Sequence, residues 1–434
     1  MPLVSIVMPT YNRADTIERA IGSVQAQTFT DWELIVVDDG STDDTVARIA
    51  GLEPRMRLIR QENRGFVGAR NTGLSASTGR YLAFLDSDDE WLAHHLELAV
   101  AFLEAFPDEQ FVVSELAEDF GQGRIVNHYR IETSEWYPAI ARQLQSPGLD
   151  RRPGSDDDYL RVYDSREPIG DWGSEILKRA GIDEEKFVYS GDIYEKLRWG
   201  FLLAVNSLVI RKTAIEIVGL QNPTYNLAAD YHYMGLLCRN FRANFLGLPT
   251  YVKHELTSSG ELPASSHIAT GTTSFIFGQD MLRSFDNLFW NERKDDPELS
   301  ALRGIHLFGL AQAAVRHGER DAALRYLKEA RRSGKGHYRM FALEGFVRCL
   351  PHAALTRMVY TNLNKGTYAG KQLLRGELSP LFLLRKMLGQ VSLRSLYNNR
   401  ALLFFLISYL YPVVSLLLSD ELVAASAAAS DLSG

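Results

Sequence analysis

At residues 84–91 the chain reads FLDSDDEW, so Asp86, Asp88 and Asp89 fall within four positions directly after the apolar run YLAFL. Carboxylates are hard oxygen donors, and magnesium or manganese uses one or two of them while water and substrate phosphates fill the remaining positions. An Asp-x-Asp turn meets that need. The same residue types also make solvated turns and helix caps, so a structural turn stands beside the metal site as a reading of this stretch. A second acidic pair, Asp38 and Asp39, sits in VVDDGS, and GFVGARNTG at 65–73 offers three glycines and an arginine, Arg70, that can approach a diphosphate. That glycine stretch lacks the GK[ST] ending of a P-loop, and the first strand-to-helix turn lacks GxGxxG, which argues against a P-loop ATPase and a dinucleotide dehydrogenase. Only Cys238 and Cys349 occur in 434 residues, so a disulfide framework or zinc cluster is excluded and a metal must rest on oxygen.

The elements that must carry these groups alternate. LVSIVM (3–8), ELIVVD (33–38), MRLIR (56–60), YLAFLD (81–86) and FVVSE (111–115) read as strands. Helical spacing predicts helices over 14–27, 43–50, 66–76 and 91–105, the second capped by Asp43 or Ser41. Such alternation predicts an α/β fold with a mostly parallel sheet covered on both faces. In such a sheet ligands bind beyond the carboxyl ends of the strands. Strand one ends in Pro9, Thr10, Tyr11 and Asn12, strand two in Asp38 and Asp39, and strand four in Asp86, Ser87, Asp88 and Asp89. Two carboxylate clusters on one edge repel unless a cation or donors lie between them.

The series VSIVMPTYNR, VVDDGSTD, ENRGFVGARNTGL and TGRYLAFLDSDDEW resembles the nucleotide-sugar-binding half of family 2 glycosyltransferases, densely over residues 3–115 and again near 191–259. The resemblance implies a GT-A-type, Rossmann-like fold and an inverting transfer of a hexosyl-type sugar from a nucleotide-diphosphate sugar. It assigns Asp38 and Asp39 to the base and ribose of the nucleotide, Pro9, Thr10, Tyr11 and Ser87 to the lining of the same pocket, and Arg70 to a place beside the nucleotide. Asp86 and Asp88 would hold Mn2+ or Mg2+, with Asp89 as a neighbour that caps a helix starting at Trp91. The general base would be Asp230 in NLAADYHYMGLLCR (226–239), after a strand-like FLLAVNSLVIRK (201–212). Here Ala229 replaces the acid common in the family, and a plain helix cap is the competing role of Asp230. YVKHE (251–255) would bring His254 to the diphosphate. Trp91 stands either as a platform for a pyranose face or as a lid on the core. His94 and His95 read as the solvated side of their helix.

Three regions follow from these signals: a catalytic domain over 1–260 (nucleotide-sugar binding 1–115, acceptor-side insertion 117–190, acceptor and base segment 191–260), a helical region over 261–335, and a basic helical tail over 336–434. The insertion, rich in Gly, Pro and charge, would shape the acceptor site. Residues 297–332 read as one tetratricopeptide-like helix pair with a Gly-containing turn, too little for a solenoid and so expected to pack on the catalytic domain or an oligomer partner. Residues 331–400 hold thirteen Lys and Arg against two Glu, although the whole chain carries −7. The uncharged run ALLFFLISYLYPVVSLLLS (401–419) follows, kinked by Pro412, and predicts a membrane contact that spans, lies on the surface or is instead a buried helix. With an N-terminus that reads at once as a strand, the expectation is a protein on the cytoplasmic face of the membrane that binds a UDP-sugar and a glycan or lipid-linked acceptor, in cell-surface polysaccharide synthesis, and no nucleic acid. Two other functions stay open: a weak or inactive glycosyltransferase-like scaffold, and a sugar-phosphate nucleotidyltransferase.

Overall fold

The computed structural model describes residues 2–119, 125–127, 159–160, 162–199, 203–225, 227–254, 271–332, 344 and 347–348. Half of the insertion 117–190, the basic stretch beyond 332 except 344 and 347–348, and the apolar run 401–419 lie outside the described residues. The chain divides into two compact units, Met1–Lys294 and Asp295–Gly434.

In the first unit, β1 (Val4–Thr10), α1 (Ile17–Gln25), β2 (Trp32–Asp38), α2 (Thr45–Ile49), β3 (Met56–Arg60), α3 (Gly65–Ala76) and β4 (Tyr81–Phe84) follow the alternation read from the sequence. Then come β5 (Glu90–Trp91), α4 (His95–Ala105), β6 (Phe111–Asp119), β7 (Ile125–Asn127), β8 (Ser165–Pro168), α5 (Ser174–Arg179) and β9 (Phe187–Gly191). After two 3-10 turns, Tyr194–Trp199 and Val205–Ser207, the unit continues with β10 (Val209–Arg211), α6 (Lys212–Val218), α7 (Ala229–Asn240), β11 (Ala243–His254) and α8 (Gly271–Phe285).

The described strands form one sheet in the order β3-β2-β1-β4-β10-β6-β11-β9-β8, with β5 on β11 and β7 on β6. The α/β class is borne out. The parallel character is confined to β3, β2, β1 and β4 and to the pair β6 and β11. Beyond β4 the sheet is mixed, because the short β10 enters antiparallel between β4 and β6. Among the described residues of the expected strand 201–212, only these three form a strand, and Asn206 and its neighbours turn in a 3-10 helix instead.

Burial explains the layering. Val4, Ile6 and Met8 of β1 alternate onto one face and share a single apolar core with Ile17, Ile21 and Val24 of α1 and Leu96, Leu98 and Phe102 of α4. Val7 points to the other face against α3, at Gly73, where a Cβ would run into the Val7 side chain. Pro9 sits in a central strand without losing a ladder bond. Val7 accepts from Leu85 N at 3.2 Å, so Pro9, two residues on, faces the side where β4 has already ended.

The helix after the acidic turn starts at His95, four residues later than expected, because Glu90 and Trp91 pair with Val252 and Tyr251 of β11. His94 and His95 are therefore buried rather than solvated. In the second unit, α9 (Pro297–Arg316) and α10 (Arg320–Arg332) pack on each other across a turn in which Gly318 takes a φ of 81°. Asp296 caps α9 by accepting from Glu298 N and Leu299 N, and Pro297 opens its first turn.

Candidate active site

Two tips of the parallel sheet are stitched to each other. Thr10 O accepts from Asp39 N at 2.9 Å, Asn12 N donates to Ser41 Oγ at 2.9 Å, and Thr42 N returns a bond to Asn12 Oδ1 at 2.8 Å. Asn12 adopts a φ of 51°, a left-handed turn position that Asn tolerates better than most residues. Pro9 and Thr10 are buried beneath this turn and Tyr11 is exposed above it. Thr10 Oγ1 is buried without a hydrogen-bond partner among the described residues. Asp38 accepts from Ser41 N at 3.1 Å and Arg60 Nε at 3.2 Å, while Asp39 accepts from Gln61 Nε2 at 2.7 Å and Arg64 N at 2.9 Å. Both carboxylates thus have local donors that hold them in place.

At the tip of β4, Asp86, Asp88 and Asp89 bring ligand oxygens within 4.8 Å of one another. Asp86 Oδ1 accepts from Arg70 Nη2 at 2.8 Å, and Oδ2 from Asn206 Nδ2 at 2.9 Å. Asp88 Oδ2 meets Arg13 Nε and Nη2, each at 3.2 Å. Asp89 is the buried member: Tyr251 donates its hydroxyl at 2.5 Å, Asn206 Nδ2 lies at 3.3 Å, and His254 N donates at 3.0 Å. Asp89 therefore does not cap α4; it clips the acidic turn to the end of β11. Ser87 is buried, and its carbonyl accepts from Thr16 Oγ1 at 2.9 Å.

The three carboxyls differ electrostatically. Burial pushes Asp86 up, but the charge of Arg70 and the Asn206 bond outweigh it and hold Asp86 below the usual range. Burial dominates at Asp88 and raises it against the opposing charge of Arg13. Burial and the charges of Asp88 and Asp86 push Asp89 well above the usual carboxylate range. Mutual repulsion of this kind is what a bound cation relieves. The residues fit a hard divalent ion: all donors are oxygens, Asp86 and Asp88 are each close to 30 % exposed, and Asn206 Oδ1 lies buried beside them with no partner among the described residues.

Asp230 joins this cluster from 160 residues beyond Arg70. Val67 near the start of α3 packs with Tyr225 and with Ala229 at the start of α7, which sets the two helix starts against each other. Arg70, one turn further along α3 than Phe66 and Val67, is only 1 % exposed and hydrogen-bonds both Asp230 Oδ1 and Asp86 Oδ1. Burial disfavours its charge, yet Asp230 and Asp86 raise its pKa above the ordinary arginine value. Ala229, where the resemblance expected an acid, is part of the apolar contact instead.

Trp91 and His254 lie beside this cluster. Trp91, left between a sugar platform and a core lid, is 3 % exposed, donates its indole N–H to Asn206 O at 2.7 Å and packs on His95; it belongs to the core. The imidazole of His254 lies 3.3 Å from Glu90 Oε1 and 3.3 Å from Asp119 Oδ2, so carboxylates flank it. The sequence reading missed Asn206, Tyr251 and Arg13. Asn206 lay hidden in an apolar run, and only the polar break inside FLLAVNSLVIRK could have signalled it.

Comparison with known proteins places part of the chain among sugar-transferring relatives. Residues 5–156 match the family model described as Glycosyl transferase family 2. Over 103 residues the chain is 46 % identical to the Escherichia coli UDP-Glc:alpha-D-GlcNAc-diphosphoundecaprenol beta-1,3-glucosyltransferase WfgD, covering 23 % of this chain and 41 % of that protein. Over 91 residues it is 52 % identical to the succinoglycan biosynthesis protein ExoO of Rhizobium meliloti, covering 20 % of this chain and 26 % of that protein. The chain thus spans less than half the length of these curated relatives. Among solved structures, TarS 1-349 of S. aureus aligns with a TM-score of 0.47 at 16 % identity, over 84 % of this chain and 91 % of that one.

Proposed function

We propose, from the match of residues 5–156 to the Glycosyl transferase family 2 model, that this protein is an inverting, metal-dependent glycosyltransferase acting on a glycan or lipid-linked acceptor. The observation that carries the reading is Arg70, which joins the candidate metal ligand Asp86 to the candidate base Asp230 within one buried contact. Donor and acceptor chemistry must meet within such a distance for a direct displacement.

In the reaction, the acceptor hydroxyl oxygen bonds to the anomeric carbon, the bond from that carbon to the diphosphate breaks, and the hydroxyl proton passes to Asp230. The Asp230 side chain is 30 % exposed and so within reach of a bound acceptor. Its ion pair with Arg70 holds the carboxylate beside the acidic turn. A divalent ion held by Asp86 and Asp88 would neutralise charge on the departing nucleoside diphosphate. Asp38 and Asp39 with the 9–11 turn hold the nucleoside, and Asp89, Tyr251 and Asn206 keep the acidic turn in place.

The identified E. coli relative is named for UDP-Glc and a GlcNAc-diphosphoundecaprenol acceptor. A UDP-sugar donor and a polyprenyl-diphosphate-linked sugar acceptor are therefore the first substrates to test. A lipid acceptor also gives the basic stretch and the run 401–419 a role, as the part that keeps the protein at the cytoplasmic face of the membrane. With UDP-glucose and a GlcNAc-diphosphopolyprenol acceptor, Asp230→Asn is expected to bind UDP with Mn2+ as the parent does and to lose at least about a hundredfold in turnover. Turnover that survives the substitution rules out Asp230 as the base.

A further inference from the structure

We propose that Arg13 is an exchangeable counterion of the acidic turn: it holds Asp88 while no cation is bound, gives way when a divalent cation arrives, and then pairs with the diphosphate of the donor. The inference rests on the donor-site reading above.

Two arginines pair with carboxylates of the acidic turn, a third holding only its backbone, and the two differ in one respect that matters. Arg70 is 1 % exposed and bridges two carboxylates, so its position is fixed by burial. Arg13 stands in the loop after β1, is 25 % exposed, and reaches Asp88 Oδ2 with Nε and Nη2 at 3.2 Å. Its remaining nitrogen, Nη1, lies 3.4 Å from Tyr11 O and 3.3 Å from Asn12 O, long contacts to loop carbonyls at the exposed rim. The base of the side chain is anchored, because Arg13 N donates to Thr45 Oγ1 at 2.7 Å and Asn12 N to Ser41 Oγ at 2.9 Å. The guanidinium, by contrast, lies at the partly exposed rim on Asp88.

The turn does not depend on Arg13 for its shape. Arg19 Nη2 holds the Asp88 carbonyl at 2.5 Å and Thr16 Oγ1 holds the Ser87 carbonyl at 2.9 Å, so the backbone stays in place when the guanidinium leaves. A cation that takes Asp88 Oδ2 must displace Arg13 from the same oxygen. The displaced guanidinium is then a mobile positive charge beside a bound diphosphate, which it can meet with two parallel N–H bonds.

The test compares Mn2+ and UDP binding to the full chain and to Arg13→Gln, with Asp88→Asn as reference. A partly exposed ion pair is worth roughly a two- to fivefold factor in an equilibrium constant. Arg13→Gln should therefore bind Mn2+ alone roughly two- to fivefold more tightly, while UDP in saturating Mn2+ binds about tenfold more weakly. A residue that merely shapes the loop would weaken both. Unchanged or weaker Mn2+ binding in Arg13→Gln, or unchanged UDP binding, overturns the exchange; if Asp88→Asn still abolishes Mn2+ uptake, the donor-site reading survives that failure. No Mn2+ uptake by either the parent or Arg13→Gln overturns both.

Discussion

Arg70 binds residues 16 and 160 positions away through a single guanidinium. Taking it away leaves two carboxylates facing each other with no positive charge between them, and losing one partner of a buried pair costs roughly 3–5 kcal/mol. Asp86 and Asp230 are each 30 % exposed, so water offsets part of this. Arg70→Ala is expected to lose roughly 2–4 kcal/mol in urea unfolding, while Arg70→Lys recovers only part because an ammonium cannot fork to two acids. Wild-type stability in Arg70→Ala would remove the bridge from the account. The clustering of Asp86 and Asp88 was legible in the sequence because acids directly after a strand carry a local signal, whereas Asp230 was singled out only through the family resemblance. Asn206, Tyr251 and Arg13 were not, since each gains its meaning only from partners 45 to 162 positions away.

At the scale of elements, the alternation of apolar runs and helical spacing was enough to locate β1 to β4 with the helices between them. The insertion of β10 between β4 and β6 was not legible, because three residues give no periodicity to read. The start of α4 was misplaced for a related reason. Glu90 and Trp91 form a strand only because β11, some 160 residues later, offers them an edge. This pairing buries His95, whose Nδ1 lies 2.6 Å from Thr250 Oγ1. Burial first, then the charge of His94, pushes His95 down from an ordinary value of 6.5 to about 3.

The sign follows from that depression. The folded protein holds His95 neutral, so its contribution to stability is complete above the unfolded value and is lost as pH falls from 6.5 toward 3. The loss approaches about 1.4 kcal/mol per pH unit within that window. His95→Gln should flatten the fall in unfolding free energy between pH 6.5 and pH 4 relative to the parent, whatever its effect at neutral pH. Parallel curves for the two proteins would show that His95 does not titrate with folding.

At the scale of the whole molecule, charge is divided unevenly, with thirteen Lys and Arg against two Glu in residues 331–400 of a chain whose net charge is −7. No helix among the described residues is long and apolar enough to cross a membrane. The stretch that would make the contact, 401–419, lies outside them, and composition alone argues for it. Truncation after Asn399 is expected to move the protein from the floating to the pelleted fraction with anionic vesicles; flotation that persists assigns the contact elsewhere. The helix pair of the second unit was legible because its Gly turn and Ala- and Leu-rich faces are local features. The insertion 117–190, expected on the acceptor side, offered no such signal, since it is polar and without period.

The central claim is that Asp86 and Asp88 hold a divalent ion on which a nucleoside diphosphate depends. Calorimetric titration of UDP into the full chain tests it most directly, with Mn2+ or with EDTA, for the parent and for Asp88→Asn. The account predicts binding that requires Mn2+ and weakens at least about tenfold in the variant, as the loss of a charged ligand implies. Equal UDP affinity in Mn2+ and EDTA, or in parent and variant, would contradict it.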